Sequence, residues 1–190
     1  VEPDESLGVY VPGWLPDTQE VRSDLAAFQG AAKEVDRAIG GILAALDESG
    51  MAENTLVIFT VDHGIAFPRA KCSLYDPGIN VALMMRRPGV VEAGSEIEHM
   101  VSNVDVLPTL LDLIGIEKPD KLQGYSFAPL IHGDDYEPRS EVFAEKTYHT
   151  YYDPMRCVRT ERYKYICNFE FAPEVEYPTD VIHGLSGRTI

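Results

Sequence analysis

Cysteine is scarce in this chain: Cys72, Cys157 and Cys167 are the three present in 190 residues. They are too few and too scattered for a disulfide framework, and none falls in a zinc-binding spacing. Cys157 and Cys167 flank an expected hairpin, where a bridge between them depends on the strand register. Positive charge is also short, with 16 Lys+Arg against 31 Asp+Glu and a net charge of −15. That deficit excludes a nucleic-acid binder, which needs a basic face, and leaves solubility or tolerance of high salt as uses for the acidity. No apolar run approaches the ~20 residues of a membrane-spanning helix. The opening VEPDESLGVY lacks the basic-then-apolar pattern of a leader peptide, and both ends look cut rather than finished. Repeats, low-complexity tracts, a Gly-x-Ser-x-Gly elbow and a Gly-rich phosphate loop are all missing.

What is present is ordinary globular material, 45% hydrophobic and 25% charged, which excludes intrinsic disorder. A compact chain of this mass exposes about 9,000 Å² and buries roughly 70% of its extended surface, enough for one core with a small satellite. Residues 1–16 read as irregular. Asp17, with Glu20 three residues on, reads as the cap of a long helix. Its stripe of Val21, Leu25, Phe28, Ala32, Val35, Ile39, Ile42 and Leu46 is expected to be core packing, closed by Gly50. The Gly40-Gly41 pair suggests close approach of another backbone. Thr55–Val61 is apolar without alternation, the pattern of a parallel strand buried on both faces. Val81–Met85 reads as a second buried strand. Asp105 reads as the cap of a short helix containing Pro108. This order predicts an α/β layout. After Gly133-Asp134-Asp135 the texture shifts to short strands of mixed polarity at 141–145, 155–159 and 163–167, with Thr160-Glu161-Arg162 as a hairpin turn. The predicted division is therefore 1–135, an α/β unit, and 136–190, a small antiparallel β subdomain.

Candidate chemistry concentrates where the first strand ends. Ligands of open α/β sheets sit outside the carboxyl ends of strands, and Asp62-His63-Gly64 stands there. A carboxylate and an imidazole on one turn can face one cation, with Gly64 allowing the sharp bend; the same tripeptide is also a common structural turn. Lys71 follows in a Pro- and Gly-rich connection, where a cation can hold an anionic oxygen or simply face solvent. His99, His132, His149 and His183 form no ligand spacing and read as surface or packing residues. The tyrosines from Tyr148 to Tyr165 are dense, as antiparallel strands favour, and carry no assigned function.

The motifs in order resemble the sulfatase family of the alkaline-phosphatase-like superfamily. Asp36-Arg37-Ala38-Ile39-Gly40-Gly41-Ile42-Leu43 is similar to that family's D-x-x-[IV]-G-x-[IL]-L helix, and Asn54–Gly64 to its strand and metal turn. Lys71 with Leu74-Tyr75-Asp76-Pro77-Gly78-Ile79 resembles its K-x-x-[LY]-[YW]-[ED]-x-G loop. Asp105–Asp112, Gly124–Leu130 and Arg159–Tyr165 match further segments. Trp14-Leu15-Pro16-Asp17-Thr18 and the Gly-Ile-x-Phe-Pro run after the turn point to the N-sulfoglucosamine sulfohydrolase branch, and to its carboxyl-terminal portion. The resemblance implies a partial alkaline-phosphatase-like sheet flanked by helices, and hydrolysis of a sulfate ester or sulfamate on a sulfated small molecule or sugar. It further implies one divalent cation held by Asp62 and His63, Lys71 as a catalytic contact to a sulfuryl oxygen, and a formylglycine nucleophile. Imidazole suits Mn2+ or Zn2+ better than Ca2+, so the metal stays open among the three.

The family's C-[ST]-P-[SA]-R nucleophile motif is absent: Cys72, Cys157 and Cys167 are followed by Ser-Leu, Val-Arg and Asn-Phe. Its early paired aspartates are absent as well. The expectation is a partial active site without turnover by itself. A phosphodiesterase or phosphonate hydrolase on the same scaffold is the alternative enzyme. A non-catalytic interaction module, with a homo-oligomer formed through an exposed sheet edge, is the non-enzymatic one.

Overall fold

The computed structural model describes residues 1–170 and 177–189; of the expected 136–190 subdomain, residues 171–176 and 190 lie outside the described residues. No helix or strand precedes α1 (Gln19–Glu48), as expected of the Pro- and Gly-rich lead-in. Thr18, rather than Asp17, caps α1: its hydroxyl accepts from the Val21 amide at 3.3 Å. Asp17 instead takes two hydrogen bonds from Arg22, at 2.6 and 2.7 Å. Gly50 ends the helix in the left-handed region at φ +71°, where a residue without Cβ costs least.

The core sits at the start of α1. Leu15, Val21, Leu25 and Phe67 form it, with Val9, Val11, Trp14 and Ile65 packed against it. Phe67 meets Phe28 edge to face with centroids 6.1 Å apart. The stripe expected to be buried along the whole helix is buried only at Val21 and Leu25, near its start: Phe28, Ala32, Val35 and Ile42 are exposed. Gly40 and Gly41 have nothing within 4 Å of an added Cβ, so the close approach expected there is not found. It occurs at Gly30, where a Cβ would lie 2.0 Å from the Glu2 carbonyl oxygen. An apolar period shows which helix face can be covered; it does not show what covers it.

β1 (Val57–Thr60) and β2 (Leu83–Arg86) correct a second expectation. They pair with each other antiparallel, Val57 opposite Arg86 and Thr60 opposite Leu83, and neither is buried on both faces; Met84 is exposed. Parallel neighbours need a crossover, usually helical. Between these strands the chain forms loop and a single helical turn, α2 (Asp76–Ile79), so it returns in the opposite direction. The accessible surface is 13,038 Å², well above the about 9,000 Å² of a compact globule of this mass.

After β2, a 3-10 turn at Asn103–Asp105 leads into α3 (Val106–Leu113), and α4 (Ala128–His132) follows. Asp105 begins α3 but does not cap it with its side chain. Its fully buried carboxylate instead accepts from the amides of Ser102 and Tyr125, both at 2.8 Å, and is paired with Arg139. Burial is the largest single influence on that carboxyl and opposes its ionisation. The Arg139 and amide hydrogen bonds together outweigh it and hold the group below the ordinary carboxylate value.

A three-stranded antiparallel sheet follows: β3 (Glu141–Tyr148), β4 (Tyr152–Thr160) and β5 (Lys164–Asn168) in that spatial order. The predicted turn at 160–162 joins β4 to β5. Cys157 lies opposite Ile166 and Cys167 opposite Arg156. Adjacent residues of a strand face opposite sides, so the two sulfurs sit on different faces and both are free. α5 (Thr179–Ile182) and a 3-10 turn at Ser186–Thr189 then return to α1, where Asp24 accepts from the Ser186 amide at 2.7 Å.

Candidate functional site

The turn after β1 is fastened by two glycines. The Gly64 amide donates to the Gly78 carbonyl at 3.0 Å, and a Cβ on Gly64 would lie 1.7 Å from the Pro77 carbonyl oxygen. Gly78 in turn fits against the carbonyls of Ala70 and Ser73, each 2.4 Å from where its Cβ would be. No other residue type permits these approaches. They bring the start and the end of the long connection together directly beside Asp62 and His63.

Between them the chain folds back tightly. Ile65 and Phe67 plug into the α1 core, and the Ile65 carbonyl accepts from the amides of Phe67 and Lys71, at 2.8 and 3.1 Å. Lys71 is thereby tied at its backbone to a residue two positions past His63. Arg69 and Cys72, on either side of it, take φ of +63° and +61°, a conformation that costs a residue with Cβ about 1–3 kcal/mol. Lysines of the three-stranded sheet clamp the segment from the other side. Lys146 donates to the Cys72 carbonyl at 3.1 Å and Lys164 to that of Leu74 at 3.0 Å. Lys164 also pairs with Asp76, which Arg159 reaches at 3.5 Å.

The three residues singled out by sequence have different surroundings. Asp62 is open, its side chain 89% exposed, and its Oδ2 stands 3.6 Å from His63 Nε2. His63 Nδ1 lies 2.7 Å from the Gly64 carbonyl, a contact that requires Nδ1 to carry the proton and donate. In the neutral ring Nε2 then keeps a lone pair facing the carboxylate. Two donor atoms 3.6 Å apart fit one cation at metal–ligand distances of ~2.0–2.6 Å, and the carbonyl-anchored imidazole is the usual orientation of a ligating histidine. They form part of a shell only: among the described residues no group of three His, Cys, Asp or Glu side chains converges. Lys71 is the least open, its side chain 15% exposed, with Nζ donating to Asp180 Oδ2 at 2.5 Å. That hydrogen bond holds the Asp180 carboxyl below its ordinary value.

Asp180 was invisible to the sequence reading, since 109 positions separate it from Lys71 and it belongs to no motif quoted above. His149, read as a packing or surface residue, lines a small polar recess with Cys72, Lys146, Tyr151, Asp153 and Pro178. Burial raises the Cys72 thiol above its ordinary value, against the pull of Lys146 and Lys71.

Residues 8–116 match the model of the sulfatase family, and residues 65–178 match that of the N-sulphoglucosamine sulphohydrolase C-terminal region. The chain belongs to the sulfatase family. It is 31% identical over 93% of its length to the human N-sulphoglucosamine sulphohydrolase. It is 34% identical over 88% of its length to an ulvan-active sulfatase of Formosa agariphila. It spans only 37% and 27% of those two proteins. Among solved structures, a 2-O GAG sulfatase superposes with TM-score 0.72 at 32% identity, covering 78% of this chain and 34% of that one. A phosphonate monoester hydrolase of Silicibacter pomeroyi gives 0.69 at 27%, covering 84% and 36%. These place the chain on the alkaline-phosphatase-like α/β scaffold as part of a sulfatase-family protein. No described helix is long and apolar enough to cross a membrane.

Proposed function

We propose that this sulfatase-family chain forms one wall of a metal-dependent active site that hydrolyses a sulfuric ester or sulfamate on a sulfated small molecule or sugar. Asp62 and His63 would hold one divalent cation, which supplies Lewis-acid polarisation and orients the nucleophile. Lys71 would hold a sulfuryl oxygen as a point charge and neutralise the negative charge that grows as the S–O or S–N bond breaks. The observation that supports this reading is the backbone fastening of Gly64 to Gly78 and of the Lys71 amide to the Ile65 carbonyl, which ties the lysine loop to the segment directly after the carboxylate–imidazole turn.

The nucleophile, a formylglycine in this reading, would come from a segment other than this chain. No cysteine here heads the required motif, and the burial-raised Cys72 thiol is poorly suited to attack. Residues 1–135 would be the carboxyl-terminal part of the catalytic α/β domain and 136–190 a small subdomain clamping its lysine loop. The exposed Val35, Ile42 and Met84 would be covered by the remainder of that domain.

The test is hydrolysis of nitrophenyl sulfate and glucosamine N-sulfate by the longer protein carrying this chain, with and without Mn2+ or Ca2+, against the 190-residue chain by itself. Metal-dependent turnover by the longer protein and none by the chain is expected; turnover by the chain alone overturns the division of the site. Likeness to the phosphonate monoester hydrolase favours one second reading, a phosphoryl rather than sulfuryl substrate. A preference for phenyl phosphonate over the sulfates would select it.

A further inference from the structure

Lys71 is a proposed active-site residue whose charged end is already held by a carboxylate distant in the sequence. Its ammonium has three donors; among the described residues the hydrogen bond it makes goes to Asp180, at 2.5 Å. A lysine is long and flexible, and fixing its end costs up to about 2 kcal/mol of rotamer freedom. Held in place beforehand, it presents its remaining donors to an anion without incurring that cost at the moment of reaction.

The partner is itself built in. Asp180 stands on α5, and the next residue, Val181, is 1% exposed. A Cβ on Gly187 would lie 2.1 Å from the Val181 carbonyl oxygen, so the following 3-10 turn is seated directly on this residue. The Ser186 amide fastens that turn to Asp24 of α1, the helix whose first half also receives Ile65 and Phe67 from the lysine loop. Lysine loop and aspartate strap therefore rest on one helix. Asp180 is half exposed rather than inside packing, and His149, which lines the recess, lies near enough to favour its charged form.

We infer that Asp180 is a positioning residue for Lys71: through one hydrogen bond it fixes the ammonium where the sulfuryl oxygen is to be bound, without itself touching substrate. This rests on the sulfatase reading of Lys71 above. An alternative role for Asp180 is purely structural, a latch of the strap onto the loop.

The experiment uses the longer protein with its metal, and four variants: Asp180→Asn, Asp180→Glu, Lys71→Ala and the double Lys71→Ala/Asp180→Asn. Loss of positioning is expected to lower kcat for nitrophenyl sulfate about 10- to 100-fold in Asp180→Asn with little change in KM. Asp180→Glu should recover part of it. With Lys71 already removed, Asp180→Asn should cost nothing further, because residues that act as a unit are not additive. In parallel, acetic anhydride labelling of Lys71, read by mass spectrometry against the exposed Lys33, should rise in Asp180→Asn. Equal losses from Asp180→Asn with and without Lys71, or unchanged labelling, overturn the positioning role. Full activity of Lys71→Ala overturns both it and the assignment of Lys71, and so separates the two failures.

Discussion

Two aspartates of this chain, Asp105 and Asp62, show how differently one side chain can be used. Asp105 is wholly buried, accepts two backbone amides and is paired with Arg139. Asp62 is 89% exposed and, among the described residues, pairs with His63 alone, 3.6 Å away. Asp62 follows an apolar strand and opens a turn, Asp105 ends a 3-10 turn and opens a helix, and each sits in a segment similar to one of the sulfatase family. The difference lies in their partners. A carboxylate whose acceptor sites are filled by donors of its own chain stabilises structure, whereas one left largely open beside a single imidazole has acceptor sites free for a ligand.

The contrast breaks first at Arg139. Arg139→Ala leaves the buried Asp105 without its cationic partner and should cost about 3–5 kcal/mol, read by urea denaturation. A loss under 1 kcal/mol would mean that Asp105 is no more structural than Asp62. Asp62→Asn should do the reverse. Folding stability should stay within about 0.5 kcal/mol, while metal-dependent turnover of the longer protein falls about 10²–10³-fold. Measuring both on one preparation decides whether exposure at the strand tip marks function.

Acid sharpens the same comparison. The Asp105 carboxyl is lowered from 3.8 in the folded chain, so near that pH the folded chain binds fewer protons than the unfolded one. Its stabilisation is complete above 3.8 and is lost as pH falls below it, towards the folded-state value. Arg139→Ala should therefore shift the acid unfolding midpoint upwards, and Asp62→Asn should leave it in place. Equal midpoints in all three proteins would refute the coupling.

The smallest effect concerns the open face of α1. Gly40→Ala meets nothing within 4 Å and should stabilise this chain by up to about 1 kcal/mol. In the longer protein, a destabilisation by the same substitution would show that the remaining domain packs against that face. Thermal melts of both read the sign.

Part of the candidate site was suggested locally. A strand tip, a turn and a Pro- and Gly-rich connection singled out Asp62, His63 and Lys71, and the family resemblance supplied the roles proposed for them. The hairpin at 160–162 and the helix through Pro108 followed from short-range chemistry. Long-range pairings were not legible. Nothing near Asp105 in the sequence announces Arg139, and nothing near Lys71 announces Asp180. The sequence likewise overstated burial, because Val35, Ile42 and the β1 residues are apolar enough for a core that the described chain does not close.

By itself the order of residues determined the local elements and the family. Apolar period, capping and turn chemistry act between near neighbours, and a motif is a fixed run of side chains. Only the tertiary structure decided which carboxylates are satisfied, which strands pair in which direction, and which helix face is covered. Each of those depends on groups distant in the chain meeting in space, and no interaction between sequence neighbours specifies that meeting.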